Sequence, residues 1–250
     1  MTDPLFDIGG KVIVVAGAAS GLGRSLSSGL AGRGARLVLA DLDGPALESQ
    51  ARALGPDALA VKTDVTREDE ANALIDAAVA RHGQVDGVVN TVGILRIAPA
   101  TELPVEQLRA SLDINVTGAF LLSRAAARVM KGRGGRIVHL ASVSSYVSNV
   151  NYAAYSPSKA ALSQLVRVLG REWASDGINV NAVGPAVIET PMSKGMLSDP
   201  KTAAAMLSVI PMGRVGTAED LLATVVLLLA PGGSYITGQT IYVDGGRTLA

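Results

Sequence analysis

Residues 12–41, VIVVAGAASGLGRSLSSGLAGRGARLVLAD, decide the fold. An apolar, β-branched run, Val12–Ala16, precedes a glycine cluster and an amphipathic stretch of helical period, Leu22–Arg33. A second apolar run, Arg36–Ala40, follows. Strands with apolar residues at consecutive positions are buried on both faces, which is typical of parallel sheets. These residues therefore predict a strand–helix–strand unit of an α/β protein.

Short apolar runs of the same kind recur along the chain, separated by amphipathic stretches such as Glu68–Arg81 and Leu108–Met130. The further runs are Ala58–Lys62, Gly87–Asn90, Arg136–Ala141, Asn179–Val183 and Thr240–Val243. This alternation predicts an α/β fold with a doubly wound, Rossmann-like sheet of seven parallel strands flanked by helices. Since no linker-like stretch divides the chain, we expect a single domain over residues 1–250.

Composition limits the classes of function. The chain has 250 residues, 48% hydrophobic and 18% charged, which fits a packed globular protein and not a disordered one. Its 22 basic and 22 acidic residues give a formal net charge of zero, so no nucleic-acid partner is expected. Because cysteine is absent and the two histidines lack ligand-like spacing, no metal site is expected either.

The sequence also indicates no membrane partner. Asp3 and Asp7 precede any apolar run, the reverse of the basic start of a secretory signal. The longest apolar run, around Leu221–Ala230, is much shorter than a bilayer span. We therefore predict a cytoplasmic protein.

The glycine cluster Gly17-Ala18-Ala19-Ser20-Gly21-Leu22-Gly23 carries the first functional hypothesis. Glycines here let the backbone turn tightly and let a pyrophosphate approach peptide N–H groups at a helix N-terminus. The cluster alone is weak evidence in a chain with 28 glycines, but the strand before it and the helix after it strengthen the hypothesis. The predicted dinucleotide-binding residues of this loop are Gly17, Ser20, Gly21, Leu22 and Gly23.

Asp41 ends the second predicted strand, about 20 residues beyond the glycine cluster. A carboxylate there suits hydrogen bonds from the adenosine ribose hydroxyls and would repel a 2′-phosphate. Neither Ser20 nor Leu42, both expected beside this ribose, supplies a guanidinium to pair with such a phosphate. NAD is therefore the predicted cofactor. The alternative is that Asp41 is a solvated residue that opens the turn Asp41-Leu42-Asp43-Gly44.

Further candidates lie where the third and fourth strands end. Asp64 and Val65 follow one strand, Asn90 ends the next, and Gly93 comes soon after. Ligands of open α/β sheets bind beyond the carboxyl ends of the strands, so all four residues are predicted to line the cofactor site. Asp64 is expected to bind the adenine amino group, to cap the helix beginning near Arg67, or both.

The segment Tyr155-Ser156-Pro157-Ser158-Lys159 is predicted to open a helix that runs to about Ser175. Residues four apart share a helix face, so Lys159 is expected beside Tyr155. A neighbouring ammonium would lower the pKa of Tyr155 from its usual value near 10. Tyr155 is therefore the predicted general acid for ketone reduction and the base for alcohol oxidation.

Two polar residues complete the candidate centre. Ser142 follows the fifth strand, where its hydroxyl can donate to a substrate carbonyl, or can instead satisfy loop backbone, as Ser144 or Ser145 can. Asn115 lies within an otherwise apolar helical stretch, so it is either buried and paired or holds a functional water.

The segment Pro191–Met212 shows no strand pattern and is rich in Met, Ser and Lys. Long insertions of this type are usually lids or binding loops, and the alternative is a mobile surface excursion. With Ile94–Pro99 and Val143–Asn151 it is expected to form the substrate pocket. These segments show no evident charged anchor, although Arg96 or Lys194 could serve as one.

Together these residues resemble the short-chain dehydrogenase/reductase family in its single-domain form, over Lys11 to Gly246. The closing stretch from Ile236 to Gly246 also resembles the family's C-terminal signature. The family's Asn-Ser-Tyr-Lys tetrad maps to Asn115, Ser142, Tyr155 and Lys159, and its glycine motif to Gly17, Gly21 and Gly23.

The resemblance implies an oxidoreductase that moves a hydride between nicotinamide and a secondary alcohol or ketone. Ser142 would polarise the carbonyl and Tyr155 would transfer the proton. Lys159 would also bind the nicotinamide ribose, and Asn115 would anchor a water. The further residues implied to contact the cofactor are Asn90, Pro185, Ile188 and Thr190. A homotetramer is expected as well.

Three departures from the family pattern stand out. Ala16 replaces a threonine, Asn90-Thr91-Val92-Gly93 replaces Asn-Asn-Ala-Gly, and Ala186 replaces the glycine after Pro185. The first loses a side-chain hydrogen bond worth about 1 kcal/mol. The others add bulk close to the nicotinamide.

The expected substrate is a polyol, a sugar acid or a similar small hydroxylated molecule, with a 3-oxoacyl thioester as the second candidate. Asp41 argues against the thioester, because NADPH usually serves biosynthetic reductases. A non-catalytic dinucleotide sensor would be expected to lose Tyr155 or Lys159, and both are present. A lyase, epimerase or dehalogenase that reuses the fold is a further alternative.

Overall fold

The computed structural model describes residues 3–250 and contains a sheet of seven parallel strands in the order β3-β2-β1-β4-β5-β6-β7. The predicted doubly wound sheet is confirmed, and the strand bounds differ from the predicted ones by at most two residues. The strands are β1 Val12–Ala16, β2 Arg36–Asp41, β3 Leu59–Lys62, β4 Gly87–Asn90, β5 Gly135–Leu140, β6 Ile178–Pro185 and β7 Thr240–Val243.

Helices cover both faces of this sheet, as expected for strands whose apolar side chains point both ways. One core cluster joins the sheet to α3, α5 and α6, and a second joins it to α1, α2 and α9. No helix within residues 3–250 is long and apolar enough to cross a bilayer. The helices are α1 Gly21–Ala31, α2 Gly44–Leu54, α3 Glu68–His82, α4 Val105–Leu112, α5 Gly118–Met130, α6 Tyr155–Glu172, α7 Pro191–Leu197, α8 Pro200–Leu207 and α9 Ala218–Leu229.

The strand order reverses between β1 and β4, which are neighbours in the sheet although β2 and β3 separate them in the chain. Loops that leave the carboxyl ends of such strands diverge and open a crevice, where ligands of this fold class bind. The glycine loop after β1 and the loop after β4 lie at this point. The fold thus places the candidate residues on one rim.

The single helix predicted over Leu108–Met130 is wrong. A π-helical turn, Asp113–Thr117, separates α4 from α5, and the Gly118 N–H donates to the carbonyl of Asp113, five residues earlier. Such turns are common at functional sites because the extra residue re-aims the backbone. Asn115 lies in the middle of this turn.

The predicted irregular segment Pro191–Met212 contains two short helices, α7 and α8, instead of a loop without secondary structure. Each helix begins with a capping side chain followed by a proline. Thr190 caps α7, and Asp199 caps α8 by accepting from the Thr202 N–H at 2.9 Å. Proline suits the first helical position because its missing N–H would have no partner there.

Candidate active site

Two adjoining cavities form one cleft along the carboxyl rim. The small cavity, about 380 Å³, lies beside the glycine loop, and the large cavity, about 770 Å³, lies beside Tyr155. Leu22, Thr91 and Gly93 line both of them, so the two cavities are continuous. Volumes of this size are typical of ligand and cofactor sites.

The glycine loop forms the floor of the small cavity at the N-terminus of α1. A Cβ atom on Gly23 would overlap the carbonyl oxygen of Gly17, so only glycine allows this approach of helix to loop. Ser20 is the N-cap residue, but its side chain accepts no hydrogen bond from the first turn of α1. The free N–H groups and the positive end of the helix dipole suit a pyrophosphate.

Asp41 lines the small cavity at the end of β2, next to the exposed Leu42. Its Oδ2 accepts from the Ala19 N–H at 3.0 Å, and its Oδ1 accepts from the Asp43 N–H at 3.2 Å. The second bond shows that Asp41 also stabilises its own turn. The first ties the carboxylate to the glycine loop, where the predicted ribose would lie.

Asp64 and Val65 also line the small cavity. The predicted helix cap at Asp64 is wrong, because α3 begins at Glu68 with Arg67 as its N-cap residue. The Asp64 carboxylate instead accepts from the N–H of Thr66 at 2.9 Å and from its hydroxyl at 2.7 Å. Asp64 therefore shapes a turn at the cavity wall.

Asn90 differs from the other predicted cofactor residues, because it lines neither cavity. Its side chain is buried, with Nδ2 3.2 Å from His139 Nδ1 and Oδ1 accepting from the Val92 N–H at 3.1 Å. Asn90 thus fixes the start of the loop that carries Gly93, and its amide faces the core.

Thr91 has a role that the sequence did not suggest. Its hydroxyl donates to the Ala16 carbonyl at 2.7 Å, joining the loop after β4 to the last residue of β1. The sequence predicts that Ala16 loses the side-chain hydrogen bond of a threonine. In this chain the Thr91 hydroxyl, from the loop after β4, supplies a hydrogen bond at the same place. Thr91 also lines the cleft, consistent with the bulk predicted there.

Lys159 lies four residues after Tyr155, in the first turns of α6, as predicted. It is buried, and its Nζ lies 5.7 Å from the centre of the Tyr155 ring. Nζ donates to the Leu140 carbonyl at 2.8 Å, which directs the ammonium toward the end of β5. Burial lowers the pKa of Lys159 to about 8.

The predicted direction of the Tyr155 pKa shift is wrong for this structure. Burial raises the pKa of Tyr155 to about 12, and a hydrogen bond with Ser142 lowers it by less than burial raises it. Removing a phenolate from water is costly, and this cost outweighs what the pattern Tyr-x-x-x-Lys suggested. Tyr155 therefore holds its proton at neutral pH.

Ser142 lines the large cavity together with Tyr155 and Lys159. Its Oγ accepts from the Ser144 N–H at 3.1 Å, so its own hydrogen can be donated to the Tyr155 oxygen or to a ligand. Ser145 instead donates its hydroxyl hydrogen to the Ser142 carbonyl at 2.7 Å. Of the three serines weighed from the sequence, Ser142 is the one placed beside Tyr155.

Asn115 lies behind the cavity wall, and its side chain is buried and paired. Its Oδ1 accepts from the Ile94 N–H at 2.8 Å, and its Nδ2 donates to the Ile94 carbonyl at 3.1 Å and to Ser158 Oγ at 2.9 Å. The side chain thus fastens the loop after β4 to α6. Of the two roles left open for Asn115, the amide fills the structural one.

The remaining predicted residues, Pro185, Ile188 and Thr190, line the large cavity between β6 and α7. The two basic residues suggested as anchors do not lie there: neither Arg96 nor Lys194 lines the large cavity. Within residues 3–250 no group of three His, Asp or Glu side chains is placed to hold a metal ion.

Sequence comparison agrees with this arrangement. A family model described as enoyl-(acyl carrier protein) reductase matches residues 17–248. The chain belongs to the short-chain dehydrogenase/reductase family. It is an oxidoreductase of that family, and the fold and motifs are those of a nicotinamide dinucleotide enzyme.

Two curated relatives and one solved structure indicate the range of this family. An uncharacterized oxidoreductase of Mycobacterium tuberculosis is 40% identical over 97% of this chain and 93% of that protein. The 2-dehydro-3-deoxy-D-gluconate 5-dehydrogenase of Escherichia coli is 34% identical over 96% of each. A gluconate 5-dehydrogenase from Burkholderia cenocepacia, solved with NADP and tartrate, has a TM-score of 0.95 at 30% identity, covering 99% of this chain and 98% of that one.

Proposed function

We propose that this chain is an NAD-dependent dehydrogenase that interconverts a secondary alcohol and a ketone, with residues 1–250 forming a single catalytic domain. The observation that carries the proposal is that Ser142, Tyr155 and Lys159 line one cavity that continues into the glycine-loop cavity. A ketone held between Ser142 and Tyr155 would lie next to a nicotinamide placed along Gly93 and Ile188.

The residues present fit a dinucleotide. The uncapped first turn of α1 suits the pyrophosphate, and the Asp41 carboxylate suits the adenosine ribose. Asp41 and Asp64 line the small cavity, and no Arg or Lys among residues 3–250 does, which favours NAD over NADP. When bound, the nicotinamide would supply the acceptor or donor of the hydride.

Ser142, Tyr155 and Lys159 have different roles in the proposed reaction. Ser142 Oγ–H donates to the substrate oxygen, where negative charge develops during reduction. Tyr155, protonated at neutral pH, gives its hydroxyl proton to that oxygen in reduction, and in oxidation its phenolate form takes the alcohol proton. The Lys159 ammonium lies 5.7 Å from the centre of the Tyr155 ring, and we expect it to bind the nicotinamide ribose.

The predicted substrates remain a polyol, a sugar acid or a similar hydroxylated compound, with a 3-oxoacyl thioester as the alternative. Relatives named as sugar-acid dehydrogenases support the first class. We expect a homotetramer, the assembly implied by the family resemblance.

The test is a screen of secondary alcohols with NAD and with NADP, following absorbance of the reduced cofactor. Tyr155→Phe removes the transferable proton and should lower turnover by about 10²–10⁴-fold while NADH binding, followed by fluorescence, persists. Tyr235→Phe is a matched control, because Tyr235 is fully exposed and lies outside the cleft. Turnover by Tyr155→Phe equal to that of Tyr235→Phe would refute the proposed mechanism.

A further inference from the structure

The part of the large cavity beyond Ser142 and Tyr155 combines an apolar wall with basic side chains. Its wall is largely apolar and is built from Leu95, Val150 and a group we call the methionine wall, Met192, Met196 and Met206. The methionine wall comes from α7 and α8 and lines the same cavity as Val150. Methionine side chains adapt to apolar ligands of irregular shape.

This wall offers little to a small polyol. Each hydroxyl of a bound polyol needs a hydrogen-bond partner to offset its loss of water, whereas methionine and valine side chains supply none. An apolar skeleton would instead bury its surface against them, a gain that grows with each methylene. The wall therefore favours a substrate with a hydrocarbon body.

The charged groups of the same cavity are all positive. None of its lining residues, which all belong to the described part of the chain, is Asp or Glu, whereas Arg247 and Lys201 both line it. Lys201 is exposed, and Arg247 is half-buried in the turn after β7. An anion brought into this cavity would meet no carboxylate on its walls.

The guanidinium of Arg247 makes two hydrogen bonds in the described part of the chain. Nη2 donates to Asn149 Oδ1 at 3.3 Å, and Nη1 donates to a main-chain oxygen of Ala250 at 3.4 Å. No ion pair in residues 3–250 includes Arg247. Both contacts are long for charge-assisted hydrogen bonds, so a carboxylate would be a stronger partner.

The contact with Asn149 links this charge to the reacting end of the cavity. Asn149 Nδ2 donates to Ser144 Oγ at 3.3 Å, and the Ser144 N–H donates to Ser142 Oγ. Arg247 and Ser142 thus lie at the two ends of one chain of hydrogen bonds along the cavity wall. A single ligand that lies along this wall can reach both.

We propose that the substrate is an amphipathic hydroxy acid or oxo acid, whose carboxylate pairs with Arg247 and whose hydrocarbon body lies against the methionine wall. This proposal rests on the dehydrogenase chemistry proposed above and replaces its polyol and sugar-acid substrates with a more apolar hydroxy acid. In the oxidation, a hydride leaves the carbinol carbon for NAD and the hydroxyl proton goes to the phenolate form of Tyr155. The carboxylate is unchanged and serves only in binding.

The test uses fatty acids that carry a hydroxyl on the penultimate carbon, from about six to about twelve carbons long, with their methyl esters and with gluconate. We expect kcat/KM for the acids to peak at the chain length that spans from Ser142 to Arg247, and kcat/KM for the esters to rise about threefold to fourfold per added methylene until the cavity is full. We expect the acids to have a KM about tenfold lower than their esters, because Arg247 is partly solvated.

Arg247→Gln should raise KM for the acids about tenfold and KM for the esters by much less, and the activity that persists on the esters shows that the variant folds. Arg52→Gln is the matched control, since Arg52 lies on α2 and pairs with Glu48 far from the cleft. Equal effects of Arg247→Gln on acids and esters, or gluconate as the best substrate, would overturn this inference and leave the dehydrogenase intact. If no secondary alcohol gives turnover that depends on Tyr155, the proposed function itself is refuted, and this inference with it.

Discussion

The two cavities of the cleft are built from different parts of the molecule. Strand ends and the loops directly attached to them form most of the small cavity, which contains Asp41 and Asp64. Much of the outer wall of the large cavity comes from α7, α8 and the final turn, and its charges are Arg247 and Lys201. The carboxylates at the strand ends thus suit the proposed NAD, and the later helical segments line the space proposed for the substrate.

Among the tests of this contrast, the largest effect is expected from removing the negative charge of Asp41 in the small cavity. Asp41→Asn keeps the shape of the side chain but removes the repulsion of a 2′-phosphate. We expect the ratio of kcat/KM for NAD over that for NADP to fall about 100-fold. Initial rates with both cofactors on one alcohol measure it.

Asp43→Asn provides the control for Asp41→Asn. It removes the same charge two residues away, where the side chain caps α2 and does not line the small cavity. We expect its cofactor ratio to change little. A ratio that moves equally in both variants would indicate a general field effect and would remove the ribose assignment of Asp41.

The buried histidine near the end of β5 should also affect how the stability of the protein depends on pH. His139 on β5 is fully buried between Asn90 and Ser123, and burial together with the charge on Lys159 lowers its pKa to about 3. The unfolded chain protonates this histidine near pH 6.5, so the folded state binds fewer protons between these values. Stability is therefore full above pH 6.5 and falls as the pH drops toward 3, by up to about 1.4 kcal/mol per pH unit.

His139→Asn should make this acid slope shallower by that amount, although the variant is expected to be less stable at neutral pH. Urea unfolding between pH 4 and 7 measures the difference. Parallel stability curves for the two proteins would contradict a neutral, buried His139.

The smallest effect is expected at the joint between the glycine loop and the loop after β4. Thr91→Val removes a hydroxyl that donates to the Ala16 carbonyl and keeps the side-chain shape. We expect a loss of about 1 kcal/mol in the free energy of unfolding and weaker NADH binding. Thr101→Val, in an exposed turn, is the control; if it costs as much, the hydroxyl of Thr91 does not join the two loops.

Sequence alone predicted the strands and nearly all residues of the rim, because buried parallel strands have a clear apolar pattern and their ends share one edge. It missed the π-helical turn at Asp113–Thr117, since the apolar pattern continues through it. It also missed α7 and α8, although each begins with a recognisable signal, a capping residue followed by proline: Thr190-Pro191 and Asp199-Pro200.

Other features depend on parts of the chain that are distant in sequence. The pKa of Tyr155 follows from how deeply the packed loops bury its hydroxyl, which the spacing to Lys159 does not report. Arg247 reaches the substrate side through the turn after the last strand, far from any segment that the sequence marked as pocket. Both require the assembled fold.

The bond from Thr91 to Ala16 bears on how such chains are compared. When residue types are compared position by position, positions 16 and 91 are two independent departures from the family pattern. In the structure the two positions meet, because the Thr91 hydroxyl donates to the carbonyl of Ala16. The two departures therefore bear on one link between β1 and the loop after β4, and their effects on stability are expected to be coupled.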